Sequence, residues 1–312
     1  MQSVDVHQHL LPEQLIAELA RRRQPPMLIR RRDGWTFRLG GEPDSVLSLD
    51  ATNVALRSVE LRRERIDRAL VALSTALGIE TLPAEEALPL LEAHHQGIED
   101  LPAGFGGWGA VQLEAPAPAE VDAVIARGCA GISLPATALA TPAALAHVGP
   151  LLARLEAHDA PLFVHPGPVA TPAEAGPVKP LPVWWPALTD YVAQMQAAWF
   201  AFLHGGRREH PRLRVLFAML AGGAPLQLER FVARGGEAPL TPDPAVFYDT
   251  SSYGTRMLEA MAGVVGVEQL VYGSDRPVVD TAAPPLGPEL GRLLRCTNPH
   301  SLLTPRQKGD LA

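Results

Sequence analysis

Eight short apolar runs, separated by longer stretches with helical spacing, constrain this chain more than any other feature. The runs cover residues 3–7, 69–74, 107–113, 131–134, 161–165, 214–218, 246–250 and 270–273. Most are apolar throughout and bounded by Gly, Pro or polar residues. A strand covered on both faces needs that continuity, whereas a strand with one wet face alternates. Amphipathic stretches at 120–127, 142–158, 188–209, 224–234 and 255–265 fall between the runs. Such alternation builds a parallel sheet clothed by helices, and eight repeats favour an α/β fold of one (β/α)8 TIM barrel over an open sheet. We therefore expect one domain spanning residues 1–312.

Two segments exceed a minimal barrel. In residues 24–50, the runs 27–32 and 35–39 flank Asp33-Gly34, a hairpin turn signal, so a small β-hairpin insertion is expected after strand 1. Residues 166–186 are rich in proline and carry Trp184-Trp185. A loop there follows the fifth strand and reads either as a substrate wall on the catalytic face or as a stiff packing loop.

Composition narrows the function. Hydrophobic residues make up 47% and charged residues 20%, which suits a sizeable core and excludes global disorder. No apolar stretch approaches the roughly 18 residues of a membrane span. The opening MQSVDVHQHL lacks a basic region followed by an apolar one, so a cytoplasmic protein is expected. The net charge of -7 argues against a nucleic-acid partner. Cys129 and Cys296 stand far apart without CxxC spacing, which excludes a disulfide framework or Cys-type zinc site.

The chemistry concentrates at run ends. His7 and His9 are two apart in the first run, so in a strand they face the same side. His165 ends the fifth run and Asp275 follows the eighth. Barrel active sites lie at the C-terminal strand ends, and three imidazoles with one carboxylate there would enclose a divalent cation with a position left open.

The stretches Val4-Asp5-Val6-His7-Gln8-His9-Leu10-Leu11-Pro12, Phe163-Val164-His165-Pro166 and Tyr272-Gly273-Ser274-Asp275-Arg276-Pro277 resemble motifs of the amidohydrolase superfamily. More narrowly they resemble its aminocarboxymuconate-semialdehyde decarboxylase-like branch. The resemblance implies a distorted TIM barrel with one divalent ion, zinc first and manganese as the alternative, on His7, His9, His165 and Asp275. It also implies a small-molecule acid as substrate, decarboxylated, with hydrolysis of a lactone or amide, or hydration, as alternatives. It admits a homodimer. Met219 departs from the pattern, because it stands where the family carries a histidine after strand six. A thioether does no proton chemistry near neutrality. His204 or Asp275 are candidates to take over that task; otherwise the reaction needs no base, or the protein is a metal-binding pseudoenzyme.

Other candidates are weaker. His204 also reads as a helix-terminal histidine, and His94-His95 as surface residues. Arg276 is a candidate for the substrate carboxylate or for an ion pair in the barrel mouth. Arg62 resembles a carboxylate-binding position of the decarboxylase, although the surrounding arginine run reads as a solvated face. Ser251, in the segment 249–253, is a candidate hydroxyl for the pocket.

Overall fold

The structure, a computed structural model, describes residues 1–32, 34–40, 42–48, 52–169, 182, 184–237, 241–279 and 286–305. Eleven strands are assigned among them: β1 (Val4–Gln8), β2 (Met27–Arg31), β3 (Gly34–Arg38), β4 (Ser45–Val46), β5 (Arg68–Val71), β6 (Phe105–Gly107), β7 (Ile132–Pro135), β8 (Leu162–His165), β9 (Val215–Phe217), β10 (Val246–Asp249) and β11 (Leu270–Val271). Each of the eight apolar runs overlaps one strand of a parallel set. Helices return between them, among them Val54–Glu64, Ala84–Glu99, Pro118–Ala126, Pro142–Ala157, Asp190–Ala201 and Thr255–Val265. No helix among the described residues is long and apolar enough to cross a membrane.

The eight parallel strands do not close as one continuous sheet. They form a three-stranded sheet, β1-β5-β6, and a five-stranded sheet, β11-β10-β9-β8-β7. Single bridges, Gly109↔Ile132 and Gln8↔Arg276, span the two seams. Sequence at each seam explains the break. Gly107 and Gly109 carry no side chain where Ile98 and Val124 of the covering helices press in, and glycine weakens a strand interior. At the other seam Asp275 takes a left-handed backbone, φ 55°, which ends the extended chain. The pairing of β1 with β5 also shifts between Asp5 and Gln8. Such irregularities re-aim side chains next to active sites.

Between the first parallel strand and the next lies a small antiparallel sheet, β2-β3-β4, in which Met27–Arg31 pairs with Gly34–Arg38. Asp33, which the hairpin reading placed at the turn, lies outside the described residues, as does most of the Pro-rich segment 166–186.

The interior beneath the strand ends is aromatic. Phe163 and Trp108 are fully buried with ring centroids 5.2 Å apart, and Trp108 Nε1 donates to the Val6 carbonyl at 2.9 Å. Cys129 is buried, as a small core residue would be, and burial pushes its thiol up to about 11.

One expectation about polarity is corrected. His94 and His95 lie in Ala84–Glu99 and are buried, because this helix packs a wide face against the first helix and the sheet. Glu80 is also fully buried, with neither carboxylate oxygen partnered among the described residues, and burial raises its pKa to about 8. The folded protein therefore keeps a proton that the unfolded chain releases above pH 4.5, so stability should fall as pH rises from about 4.5 to about 8. Glu80→Gln is expected to remove that slope. The variant should match the wild type near pH 4.5 and exceed it by on the order of 3 kcal/mol at pH 8. Urea unfolding across this range checks it, and identical slopes in both proteins would refute it.

Candidate metal centre

Strand direction puts the C-terminal ends of β1, β8 and β11 at one rim. There His7, His9, His165 and Asp275 bring one donor atom each to within 4.8 Å of one another. The three imidazole rings meet pairwise at 4.9–5.0 Å and nearly at right angles.

The outward nitrogen of each ring is engaged. His9 Nδ1 lies 2.9 Å from the Ala72 carbonyl, and His165 Nδ1 lies 2.9 Å from the Pro166 carbonyl and 2.8 Å from Thr75 Oγ1. A carbonyl only accepts, so these Nδ1 atoms carry the protons and each Nε2 keeps a bare lone pair. His7 Nδ1 meets the buried Asp249 carboxylate at 2.7 Å, with the same consequence. His7 Nε2 and His9 Nε2 then face each other at 3.1 Å, and Asp275 Oδ1 sits 3.4 and 3.2 Å from them. Among the described residues that oxygen is buried without a hydrogen-bond partner. Lone pairs and a carboxylate converging this closely repel unless a cation lies between them. The residues fit a divalent metal on three nitrogens and one oxygen.

Without an ion the neighbouring carboxylates favour a second proton on His7, at Nε2, which a metal must displace to bind there. Burial works against a charged His7, but the Asp249 and Asp275 carboxylates override it and raise its pKa to about 9. Burial, together with the neighbouring His7 and His9, holds His165 well below the usual imidazole value. Burial would raise Asp249, yet His7 and the Ser251 hydrogen bonds keep it below the usual carboxylate range.

Asp249 is the residue that sequence reasoning missed. It ends β10, and the only sequence signal was its place at the end of an apolar run, like His165. Its Oδ1 accepts from the Met219 N–H at 2.9 Å, the Ser251 N–H at 2.9 Å and the Ser251 hydroxyl at 2.5 Å. Gly273 makes room for the pair, since a Cβ there would lie 2.9 Å from that of His7 and 3.0 Å from that of Asp249. Met219 opens a left-handed run through Gly223, with φ from 43° to 73°, which costs about 1–2 kcal/mol at each non-glycine residue. The run turns the Met219 N–H onto Asp249.

This arrangement makes Asp249→Asn informative. The amide must keep its oxygen toward the three donors, so its NH2 faces His7 Nδ1 and forces the other imidazole tautomer. The proton then occupies Nε2, where the ligand lone pair is needed. Chelator competition should show metal affinity about 10–100-fold weaker. Unchanged affinity would remove Asp249 from this role.

His204 is exposed in Phe202–Gly206. Its neighbours Leu203 and Arg207 line a cavity of about 150 Å³ with Asp243 and Val246, where β10 begins, so His204 sits toward the opposite ends of the strands from the cluster. Arg62 is exposed on Val54–Glu64, whose solvent side it occupies. Arg276 is paired with Glu64 and, at 3.7 Å, with Glu60, as the ion-pair reading expects. Ser251 donates its hydroxyl to Asp249. Trp184 and Trp185 are 55% and 39% exposed, their rings 5.7 Å apart. Arg57, read as part of a solvated face, is instead 1% exposed. It bonds Gln8 Oε1, reaches the His9 carbonyl at 3.4 Å and pairs with Glu60 at 3.2 Å.

No family model and no curated protein matches the sequence. Solved structures do match in shape. IDCase from Metarhizium anisopliae in apo form superposes with a TM-score of 0.76 over 97% of both chains at 19% identity. A solved amidohydrolase matches with a TM-score of 0.72 over 96% of this chain and 99% of its own, at 17% identity. The 5-carboxyvanillate decarboxylase from Novosphingobium aromaticivorans, complexed with manganese and 4-hydroxy-3-methoxy-5-nitrobenzoic acid, matches with 0.72 over 97% and 96% at 16% identity. The fold is the one these structures share, and they include proteins of the kind that the strand-end motifs resemble.

Proposed function

We propose that this chain is a metal-dependent decarboxylase of a small aromatic or unsaturated acid. On this reading the two sheets are one distorted (β/α)8 barrel over residues 1–312, with the small antiparallel sheet as an insertion after strand 1. The observation that carries the reading is the convergence of three Nε2 atoms and Asp275 Oδ1, which has no hydrogen-bond partner among the described residues, at one strand-end rim. Shape likeness to a decarboxylase that holds manganese and a hydroxynitrobenzoic acid supports the reaction class. Zinc is the ion we expect from the three-imidazole set, with manganese as the alternative.

The bound ion would supply Lewis-acid polarisation of a substrate oxygen. The chain's own residues do the rest. Asp249 holds His7 in one tautomer, Ala72 and Pro166 do the same for His9 and His165, and the buried Phe163 closes the floor against water. The protein is read as cytoplasmic, free of nucleic-acid and membrane partners, and compatible with a homodimer.

A second reading, hydrolysis or metal binding without turnover, draws on one observation: Met219 offers no proton-transfer group. Metal-loaded protein assayed for CO2 release from hydroxybenzoates and muconates, beside a lactone and amide panel, separates these. Release of CO2 from an acid is the expected result. Hydrolysis alone would reassign the enzyme, and tight acid binding with neither reaction would make it a pseudoenzyme.

A further inference from the structure

The strand β5 supplies no ligand to the cluster, yet the chain at its end holds two of them. The Ala72 carbonyl, directly after β5, lies 2.9 Å from His9 Nδ1. Three residues on, Thr75 opens the short helix Thr75–Leu77 and is fully buried. Its Oγ1 donates to the Pro166 carbonyl and lies 2.8 Å from His165 Nδ1.

Proton counting gives that contact a direction. A hydroxyl has one proton and two acceptor lone pairs. The Pro166 carbonyl only accepts, so the Thr75 proton goes there, with the His165 carbonyl at 3.4 Å as the more distant acceptor. A lone pair is then left toward His165 Nδ1, which must carry its own proton, and Nε2 stays free for a cation. The Pro166 carbonyl also accepts from Nδ1, at 2.9 Å, but Pro166 is the next residue in the chain and turns with His165. It fixes the tautomer without fixing where the ring stands relative to His7 and His9. Thr75, 90 residues away in sequence, can fix both.

The two segments are shaped for this contact. Gly167, at φ 108°, lies so close that a Cβ on it would meet Ala76 N and Cα at 2.8 Å, which only glycine permits. From the other side, Gln194 of Asp190–Ala201 accepts from the Gly167 N–H at 2.7 Å and donates to the Pro168 carbonyl at 3.0 Å. Residues 166–168 are thus clamped between the end of β5 and this helix, and the clamp keeps the Pro166 carbonyl against Thr75.

We propose that the end of β5 is the template on which the metal centre is set: Ala72 orients His9, and Thr75 is a positioning residue that fixes the tautomer and the place of His165. Thr75 acts through His165 and not on the ion, so this role rests on the metal-centre reading and is independent of the reaction class.

The test is zinc affinity by chelator competition in wild type, Thr75→Val and Thr75→Ser. Valine keeps the branched shape and removes the acceptor, so affinity should fall about 10–100-fold. Serine keeps the hydroxyl and should stay within about threefold of wild type. A packing role alone would give the opposite order, because serine loses the methyl group that valine keeps. A loss under about threefold in Thr75→Val, or an equal loss in Thr75→Ser, overturns the role. A neutron structure of the zinc-loaded wild type needs no variant to fold. It should show deuterium on His165 Nδ1 and the Thr75 deuteron aimed at the Pro166 carbonyl; a Thr75 deuteron aimed at Nδ1 overturns the proposal. If the wild type takes up neither zinc nor manganese, the metal-centre reading fails, and the same two deuterons in the metal-free protein decide whether Thr75 sets the tautomer.

Discussion

Asp275→Ala is expected to lose its metal. Elemental analysis should fall from about one divalent ion per chain to under about 0.1, since one of four ligands is gone and with it the only anion among them. Turnover of any acid the wild type accepts should fall about 1,000-fold or more, the rate equivalent of roughly 4 kcal/mol of lost Lewis-acid stabilisation. The argument is geometric. Asp275 Oδ1 is buried, has no hydrogen-bond partner among the described residues and lies 3.2–3.4 Å from two imidazole nitrogens. Take that oxygen away, and three lone pairs remain facing one another with no charge to balance a dication. Asp275→Asn separates charge from shape, because a neutral amide oxygen can still coordinate, so its metal content should lie between the two. Stoichiometric metal in Asp275→Ala would sink the four-ligand centre.

Arg57→Met should destabilise the folded protein by about 3 kcal/mol in urea unfolding. The guanidinium is 1% exposed and bridges the Gln8 side chain, the His9 carbonyl and Glu60. Methionine matches its length but leaves those acceptors without their donor inside the fold, where the unpaired group costs far more than a surface pair contributes. Because Gln8 also donates to Asp5 at 2.7 Å, and Asp5 accepts the Ser274 N–H at 3.0 Å, the loss reaches both ligand segments. Metal affinity should therefore weaken alongside stability. A variant within about 0.5 kcal/mol of wild type would show that Arg57 is no more than a surface-type residue.

The two variants also show where sequence reasoning succeeded and where it stopped. His7, His9, His165 and Asp275 were legible because each stands at the end of an apolar run, and strand ends of a barrel share one rim. The eight runs were legible for the same reason: covering both faces of a strand leaves a continuous apolar stretch that periodicity detects. Arg57 was not legible, because an arginine in an arginine-rich helix carries no mark of which turn faces the sheet. Asp249 was passed over because a carboxylate gains its meaning from the histidine it touches, 242 residues away. His94 and His95 read as polar and proved buried, since the helix beneath them packs on more of its circumference than its composition suggests.

Taken alone, the amino-acid sequence determined the alternation of strands and helices and the rim on which the four ligands meet. These follow from local spacing, which a linear chain encodes directly. Tertiary structure decided the rest: the two open seams between the parallel sheets, the Asp249 support of His7 and the buried Arg57 bridge. Each depends on which distant segment packs against which. That choice is made by the shape of glycine-lined gaps and by buried donors finding acceptors, neither of which leaves a periodic trace along the chain.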